Sequence, residues 1–389
     1  MSLAPVRLGF VPLLDMAPLA VAQAIGFAAS EGLELDLQSA PSWSSLRDML
    51  LWGQIDAAHM LAPLPVAMAL GLGGTAGQVD VLQVLSVNGN TIVVSQALAG
   101  AMRDTGFGFG FDDAFAARQA LARVQPAPLR IGVPFPFSTH AALVDCWLQG
   151  TGLEYQLTTI PPPRMADALS AGEVDAFCVG EPWGSVAVEQ GVGTLLLPGN
   201  AIWAAAPEKV LAARHDWVVQ NPDITARLMR AVWKASRWLC DPGNRMAISE
   251  LLSQPEYVNA PAEVLDRALS GHMVISPRGE TRHVAGMIRF HDFAAPFPWR
   301  SQAAWFARQL ACAHNLDVGA AVETARALFR TDLYRQNLRM IGADLPGASD
   351  KLEGALAHPT AVASERGTLI LARDAFFDGR IFDPDQVMC

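Results

Sequence analysis

Donor-bearing side chains recur in this sequence where an apolar, strand-like stretch gives way to a helix-like one. Asp15 follows residues 6–11, Trp43 and Ser44 open the stretch after residues 33–37, and His59 closes residues 55–59. Further along, Ser138-Thr139-His140, Pro163-Arg164 and Glu181 occupy equivalent places, and Lys209 follows residues 203–207. In open α/β sheets ligands bind beyond the carboxyl ends of strands. Helix N-termini there offer free N–H groups and partial positive charge, which suits anions. Imidazole, ammonium, indole and hydroxyl groups converging from separate loops would hold a small anion. His59, His140 and Glu181 would also serve as acid and base in a catalytic reading. Each group has a plainer role open to it: Trp43 as packing, His59 as a structural histidine, His140 and Glu181 as helix caps, Lys209 as a solvated lysine.

The elements that must position these groups come in two copies. Residues 53–63 (Gly-Gln-Ile-Asp-Ala-Ala-His-Met-Leu-Ala-Pro) recur in register as residues 172–182, and both copies read Gly-x-(Ile/Val)-Asp-Ala before closing on Pro. Upstream, Gly32-Leu33-Glu34 matches Gly152-Leu153-Glu154, and Val6-Arg7-Leu8-Gly9 matches Leu129-Arg130-Ile131-Gly132. Self-similarity of this kind decides architecture, and two copies are too few for a solenoid. Two facing α/β lobes with a ligand cleft are therefore expected. Strands are predicted over residues 6–11, 33–37, 55–59, 79–86 and 91–95, the last two around the turn dipeptide Asn88-Gly89. β-α-β alternation implies mainly parallel sheets. Residues 106–110 (Gly-Phe-Gly-Phe-Gly) read as a flexible connection, since no Lys-Ser/Thr follows to make a phosphate loop. Residues 195–197 and 202–205 read as crossings back to the first lobe. The predicted division is lobe 1 over residues 1–95 plus 203–389, with a helical C-terminal portion, and lobe 2 over 96–202.

The 389 residues suffice for two or three domains with a large core. The chain is 51% hydrophobic, yet no apolar run reaches the ~18 residues of a membrane span. A formal charge of -10 argues against a general nucleic-acid surface. Met1-Ser2-Leu3-Ala4-Pro5 runs into the first strand without a basic leader or cleavage motif, which sets the expectation of a cytoplasmic protein. Cys146, Cys178, Cys240, Cys312 and Cys389 form no CxxC or Cys/His metal pattern, so buried, reduced thiols are expected, with no metal and no cofactor.

Residues 41–48 (Pro-Ser-Trp-Ser-Ser-Leu-Arg-Asp), residues 55–65, Gly180-Glu181-Pro182-Trp183 and Pro207-Glu208-Lys209-Val210 follow in an order that resembles the nitrate/bicarbonate-binding proteins of ABC transporters. Residues 376–384 are similar to that family's ending. The resemblance spans nearly the whole chain and implies the type II periplasmic-binding-protein fold. It implies Trp43 as an aromatic wall, Ser44 as a backbone N–H contact, and His140 and Lys209 at a matching histidine and lysine. His59 stands where the nitrate binder has a glutamine, either side chain being able to donate; Glu181 and Asp15 stand behind these groups. Nitrate only accepts hydrogen bonds, so its site wants donors plus one cation to offset burial of its charge. Lys209 supplies that cation, and nitrite fits the same donors. Bicarbonate also donates and would need an acceptor such as Glu181. Without a leader, the chain resembles the cytoplasmic nitrate/nitrite sensors of the NasS type. That resemblance implies an ANTAR-type RNA-binding antiterminator as partner, held inactive until ligand arrives, with no direct contact to nucleic acid or membrane. A transport binding protein whose leader is missing is the alternative. A cofactor-biosynthetic enzyme on the same fold is a third reading, unsupported by any cysteine cluster or nucleophile elbow, so no catalysis is expected.

Overall fold

The sequence repeat becomes two sheets of the same wiring. The computed structural model describes residues 3–74, 77–124, 128–343 and 345–386. Ten strands carry the two lobes: β1 (Ala4–Phe10), β2 (Leu33–Ser39), β3 (Ala57–Leu61), β4 (Val79–Asn88), β5 (Asn90–Ser95), β6 (Leu129–Val133), β7 (Tyr155–Thr159), β8 (Ala176–Gly180), β9 (Gly193–Pro198) and β10 (Pro207–Arg214). Short strands β11 (His272–Val274) and β12 (Thr281–His283) pair with each other, as do β14 (Thr360–Ser364) and β15 (Gly367–Leu371), while β13 (Ile288–Arg289) edges the first sheet. The first sheet runs β13-β4-β10-β3-β1-β2 and the second β7-β6-β8-β5-β9. In the first, β1 is parallel to β2 and β3, and β10 is antiparallel to β3 and β4. In the second, β6 is parallel to β7 and β8, and β5 is antiparallel to β8 and β9.

Each sheet thus receives its antiparallel member from just beyond a crossing. Strand β5 enters the second sheet directly after the chain leaves the first, and β10 enters the first directly after it leaves the second. This corrects three sequence expectations. Residues 90–95 belong to the second sheet, so the change of lobe falls at Gly89 rather than at residue 95. Asn88-Gly89 does bend the chain, with φ of 63° and 96°, but it closes no hairpin. The Asn88 amide donates to the carbonyls of Ala204 and Gly286 and accepts from the Ala206 N–H, which pins the bend to the return crossing. Residues 195–197 lie in β9, inside the second sheet, rather than in a crossing.

The repeated Arg and Asp explain themselves. In both lobes an arginine on the first strand forks onto the aspartate of Gly-x-(Ile/Val)-Asp-Ala, Arg7 Nη2 to Asp56 Oδ1 at 2.7 Å and Arg130 Nη2 to Asp175 Oδ1 at 2.7 Å. The same carboxylates accept the main-chain N–H of Arg7 and Arg130, each at 2.9 Å. The repeated glycines, Gly53 (φ 71°) and Gly172 (φ 69°), take the left-handed turn that ends the preceding helix. The motif is therefore a fold device that delivers the third strand of each lobe to its sheet.

The returning chain is mainly helical, over Pro222–Leu239, Arg245–Leu252, Ala262–Ser270, Arg300–His314, Val318–Leu328 and Thr331–Leu338. The glycine-rich connection is packed rather than free: Phe109 and Phe111 are buried, and the Arg103 guanidinium lies 4.4 Å from the Phe109 ring centre. Cys146, Cys178 and Cys240 are free thiols. Cys312 is disulfide-bonded, against the expectation of reduced thiols throughout; Cys389 lies outside the described residues. Among the described residues no helix is long and apolar enough to cross a membrane.

Candidate functional site

Two adjacent strands, the turn after β1 and two helix starts bring Asp15, Trp43, His59, His140 and Lys209 together. Asp15 sits in the single turn Leu14–Met16 after β1. Trp43 begins the helix Trp43–Leu51, whose N-cap Ser42 accepts from the Ser45 N–H. His59 is central in β3, and Lys209 lies opposite Leu61 on the neighbouring β10. His140 comes from the other lobe, at the start of the helix Thr139–Leu148 capped by Ser138. All five are at most 1% exposed.

Lys209 is the centre of the cluster. Its Nζ donates to Asp15 Oδ2 and to Glu208 Oε1, each at 2.8 Å, and stands 5.3 Å from the Trp43 ring centre. His59 Nε2 lies 2.8 Å from the other oxygen of Asp15, and its ring tilts against Trp43 at 5.7 Å. His140 Nδ1 is 3.2 Å from Glu208 Oε1, though not aligned as a hydrogen bond. Asn90, at the start of β5, donates to Glu208 Oε2 at 2.8 Å. First-lobe groups thus hold the ammonium, and His140 and Asn90 of the second lobe reach Glu208 beside it.

Glu208 was not among the expected site residues. Adjacent residues of a regular strand face opposite ways, so Glu208 and Lys209 should not share a site. Strand β10 bulges here: Pro207 pairs with Val87 and Lys209 with Ser86, so two steps on β10 match one on β4. The bulge turns both side chains to the same side. A proline, a glutamate and a lysine in a row are the only trace of it in the sequence.

Charge follows from the packing. Burial pushes the Asp15 carboxyl up, but Lys209 and His59 outweigh it and hold it well below the usual carboxylate range. Burial lowers the Lys209 ammonium, and Asp15 with Glu208 more than restores it, so it stays charged. Burial raises Glu208 to about 7 against the pull of Lys209. Burial, helped by Lys209, drives His140 well below its ordinary value, and burial lowers His59 despite Asp15. Both imidazoles are therefore neutral. A neutral His59 that gives its one proton to Asp15 keeps only a lone pair at Nδ1. It orients Asp15 rather than offering a donor, which differs from the role expected of it.

Several buried polar atoms around Lys209 have no protein partner: Trp43 Nε1, His59 Nδ1, His140 Nε2 and Asn90 Oδ1. Buried polar groups are nearly always satisfied; Trp43 Nε1 and the His140 ring can donate to an anion, whereas His59 Nδ1 and Asn90 Oδ1, the latter packed against Gly199, can only accept. The remaining expected residues stand aside. The Ser44 hydroxyl lies 3.0 Å from that of Ser42, leaving its N–H in the first helical turn as its offer to a ligand. Glu181 accepts from Thr91 Oγ1 at 2.8 Å and from the Ser185 N–H at 3.2 Å, so it caps its own helix. The Glu181 main chain braces the lobes, accepting from the Leu14 N–H and donating to the Gly89 carbonyl, each at 2.8 Å. Thr139 Oγ1 to the Pro207 carbonyl and Trp183 Nε1 to the Pro12 carbonyl, both 2.8 Å, also cross between lobes. The two lobes are therefore in contact with each other around the site.

A model of the NMT1-like family matches residues 2–253. The nitrate/nitrite binding protein NrtA of Nostoc sp. is 28% identical over 395 residues, covering 98% of this chain and 83% of that protein. The nitrate import ATP-binding protein NrtC of Synechocystis sp. is 33% identical over 351 residues, which take in 87% of this chain and 51% of NrtC. The chain therefore spans about half the length of that relative. The crystal structure of the periplasmic nitrate-binding protein NrtA from Synechocystis PCC 6803 matches with a TM-score of 0.84 at 27% identity, over 98% of this chain and 96% of that one. The two-lobed α/β architecture is that of a periplasmic-binding protein.

Proposed function

From the premise that the chain belongs to the NMT1-like family, we propose that it binds nitrate or nitrite between its lobes and catalyses no reaction. The observation that carries this is the Lys209 ammonium, fully buried against the Trp43 ring, with the Trp43 and His140 ring N–H groups left without a protein partner. Trp43 Nε1, a His140 N–H, the Ser44 N–H and the third Lys209 proton are the donors to the oxyanion. Asp15 and Glu208 already flank the lysine, so an arriving anion brings net negative charge into a dry site. Protonation of Glu208, whose carboxyl lies at about 7, offsets that charge. Nitrate affinity therefore rises as pH falls through about 7.

Bicarbonate is the second reading, favoured by the same two carboxylates. Its O–H would donate to ionised Glu208, so its affinity falls as that group takes up a proton. Calorimetric titration with nitrate, nitrite and bicarbonate, repeated as pH drops from about 8 to about 7, separates the two by the sign of the change. Absence of binding by all three anions would overturn the assignment.

The finer role we propose is that of a cytoplasmic sensor. Ligand favours the closed state, and closure shifts a partner's affinity by the difference in its binding to the two states. The resemblance to NasS-type sensors supports an ANTAR-type antiterminator as that partner, whereas the transport relatives support delivery to an ABC importer. Binding of a purified ANTAR protein, measured with and without nitrate, tests the sensor. Equal affinity in both conditions would leave the transport role, and cell fractionation reports the compartment.

A further inference from the structure

A second cluster lies behind the crossings, away from Lys209. Cys240 caps the helix Pro222–Leu239, and His291 and Asp292 follow β13. One ligand atom from each of the three lies within 4.8 Å of the others. Cys240 and His291 are half-buried and Asp292 is exposed. The Cys240 thiol donates to the Ser236 carbonyl at 3.5 Å, a bond that metal binding would replace. A cleft of 480 Å³ opens beside them, lined by Cys240, Asp241, Arg245, Arg289, Asp292 and Phe293. The backbone after the pair is held in the left-handed region at two successive non-glycine residues, Phe293 (φ 61°) and Ala294 (φ 58°). Such strain persists where surrounding structure enforces it, and it concentrates at functional sites.

The geometry points to a site for a zinc-class divalent cation, held by the Cys240 thiolate, a His291 ring nitrogen and the Asp292 carboxylate, with a fourth position open to the cleft. A mixed sulfur, nitrogen and oxygen set suits zinc or cobalt rather than calcium or magnesium, which take oxygen ligands. Zinc–ligand bonds of about 2.0–2.3 Å place tetrahedral ligand atoms ~3.3–3.7 Å apart, so the cluster needs to contract by about 1 Å. The Arg289 guanidinium, 5.5 Å from the Phe293 ring centre, is the nearby positive charge that a cation would have to offset. Arg245 is held away on Asp266 at 2.9 Å.

The place gives the site a consequence. Residues 285–289 grip both crossings: Ile288 pairs with Asn88, the Asn88 amide donates to the Gly286 carbonyl, and the Asn200 amide donates to the Ala285 carbonyl. A metal joining Cys240 to residues 291 and 292 would tie that segment to the end of the long helix and stiffen the hinge from behind.

Titration of the full chain with Co²⁺ tests this. The wild type should take up one ion with a thiolate-to-cobalt charge-transfer band and the strong visible bands of tetrahedral cobalt. Cys240→Ser should abolish the charge-transfer band and weaken Zn²⁺ binding by about 100-fold, and His291→Ala and Asp292→Asn by about 10-fold or more. His283→Ala, which breaks the histidine pair on β11 and β12 with rings 4.4 Å apart, should change nothing. Circular dichroism checks that each variant is folded; should Cys240→Ser fail that check, the His291 and Asp292 variants give the same readout. A wild type without the charge-transfer band, a band that survives Cys240→Ser, or binding abolished by His283→Ala would each overturn the site.

Discussion

Replacing Lys209 with methionine keeps the stem and removes the charge that organises the cluster. In the wild type Nζ stands 2.8 Å from both Asp15 and Glu208. At the effective dielectric of about 20 that suits such sites, each full charge pair at that separation attracts by ~6 kcal/mol. Asp15 counts in full, since it stays ionised, and Glu208 counts in part, since its carboxyl lies at about 7. Desolvation of the ammonium offsets several kcal/mol of this. The variant leaves two buried acids and no cation, and the expected loss is ~3–5 kcal/mol at neutral pH. In the wild type the depressed Asp15 carboxyl stabilises the fold above its unfolded value near 4, and that contribution is lost as pH falls below it. In the variant the carboxyl is raised instead, so the folded form binds the extra proton and stability recovers as pH falls. The gap between the two proteins therefore narrows towards about pH 4. Urea midpoints across pH measure it. A cycle with Asp15→Asn should give a coupling of ~2 kcal/mol or more. A Lys209→Met protein within ~1 kcal/mol of wild type, or strictly additive losses, would refute the charge-centre argument.

Trp43→Phe keeps a ring beside Lys209 but removes the Nε1 donor, so calorimetry should show nitrate affinity weakened by ~1–3 kcal/mol. Thr139→Val deletes the bond to the Pro207 carbonyl that crosses between lobes; nitrate affinity should fall by ~0.5–1.5 kcal/mol, with a larger radius of gyration in solution scattering. Arg7→Ala and Arg130→Ala remove half-exposed pairs, each costing about 1 kcal/mol or less in urea unfolding. Their effects should add, because they lie in different sheets.

The two-lobed plan was legible because the repeat preserves the same fold device, an arginine on one strand forked onto the aspartate before another. The convergence of Asp15 and His140 followed from placing each after a strand or at a helix start, whereas His59, read as closing its strand, lies at the centre of β3. What failed did so through tertiary contacts. Asn88-Gly89 has the local signature of a hairpin, yet the Asn88 amide is engaged by residues 204, 206 and 286, so the next strand is delivered to the other sheet. Glu208 was hidden by strand alternation, which a bulge on β10 suspends, and no residue type announces that bulge. Glu181 bears a suitable group, but Thr91 and the Ser185 N–H reach it first. The metal-type trio joins residues 240 and 291–292, a separation over which spacing motifs carry no information.

Strand β10 reaches the first sheet late. A nascent chain leaving the ribosome makes β3 and β4 long before their shared neighbour at residues 207–214 exists. At ~5–20 residues per second, the wait between residues 88 and 207 is on the order of 6–24 s. Throughout it, two apolar strands expose unsatisfied edges that invite wrong partners. Premature termination anywhere before residue 207 would leave the N-terminal lobe permanently unzipped, so biosynthesis of this protein depends on holding a half-built sheet safe until its keystone emerges.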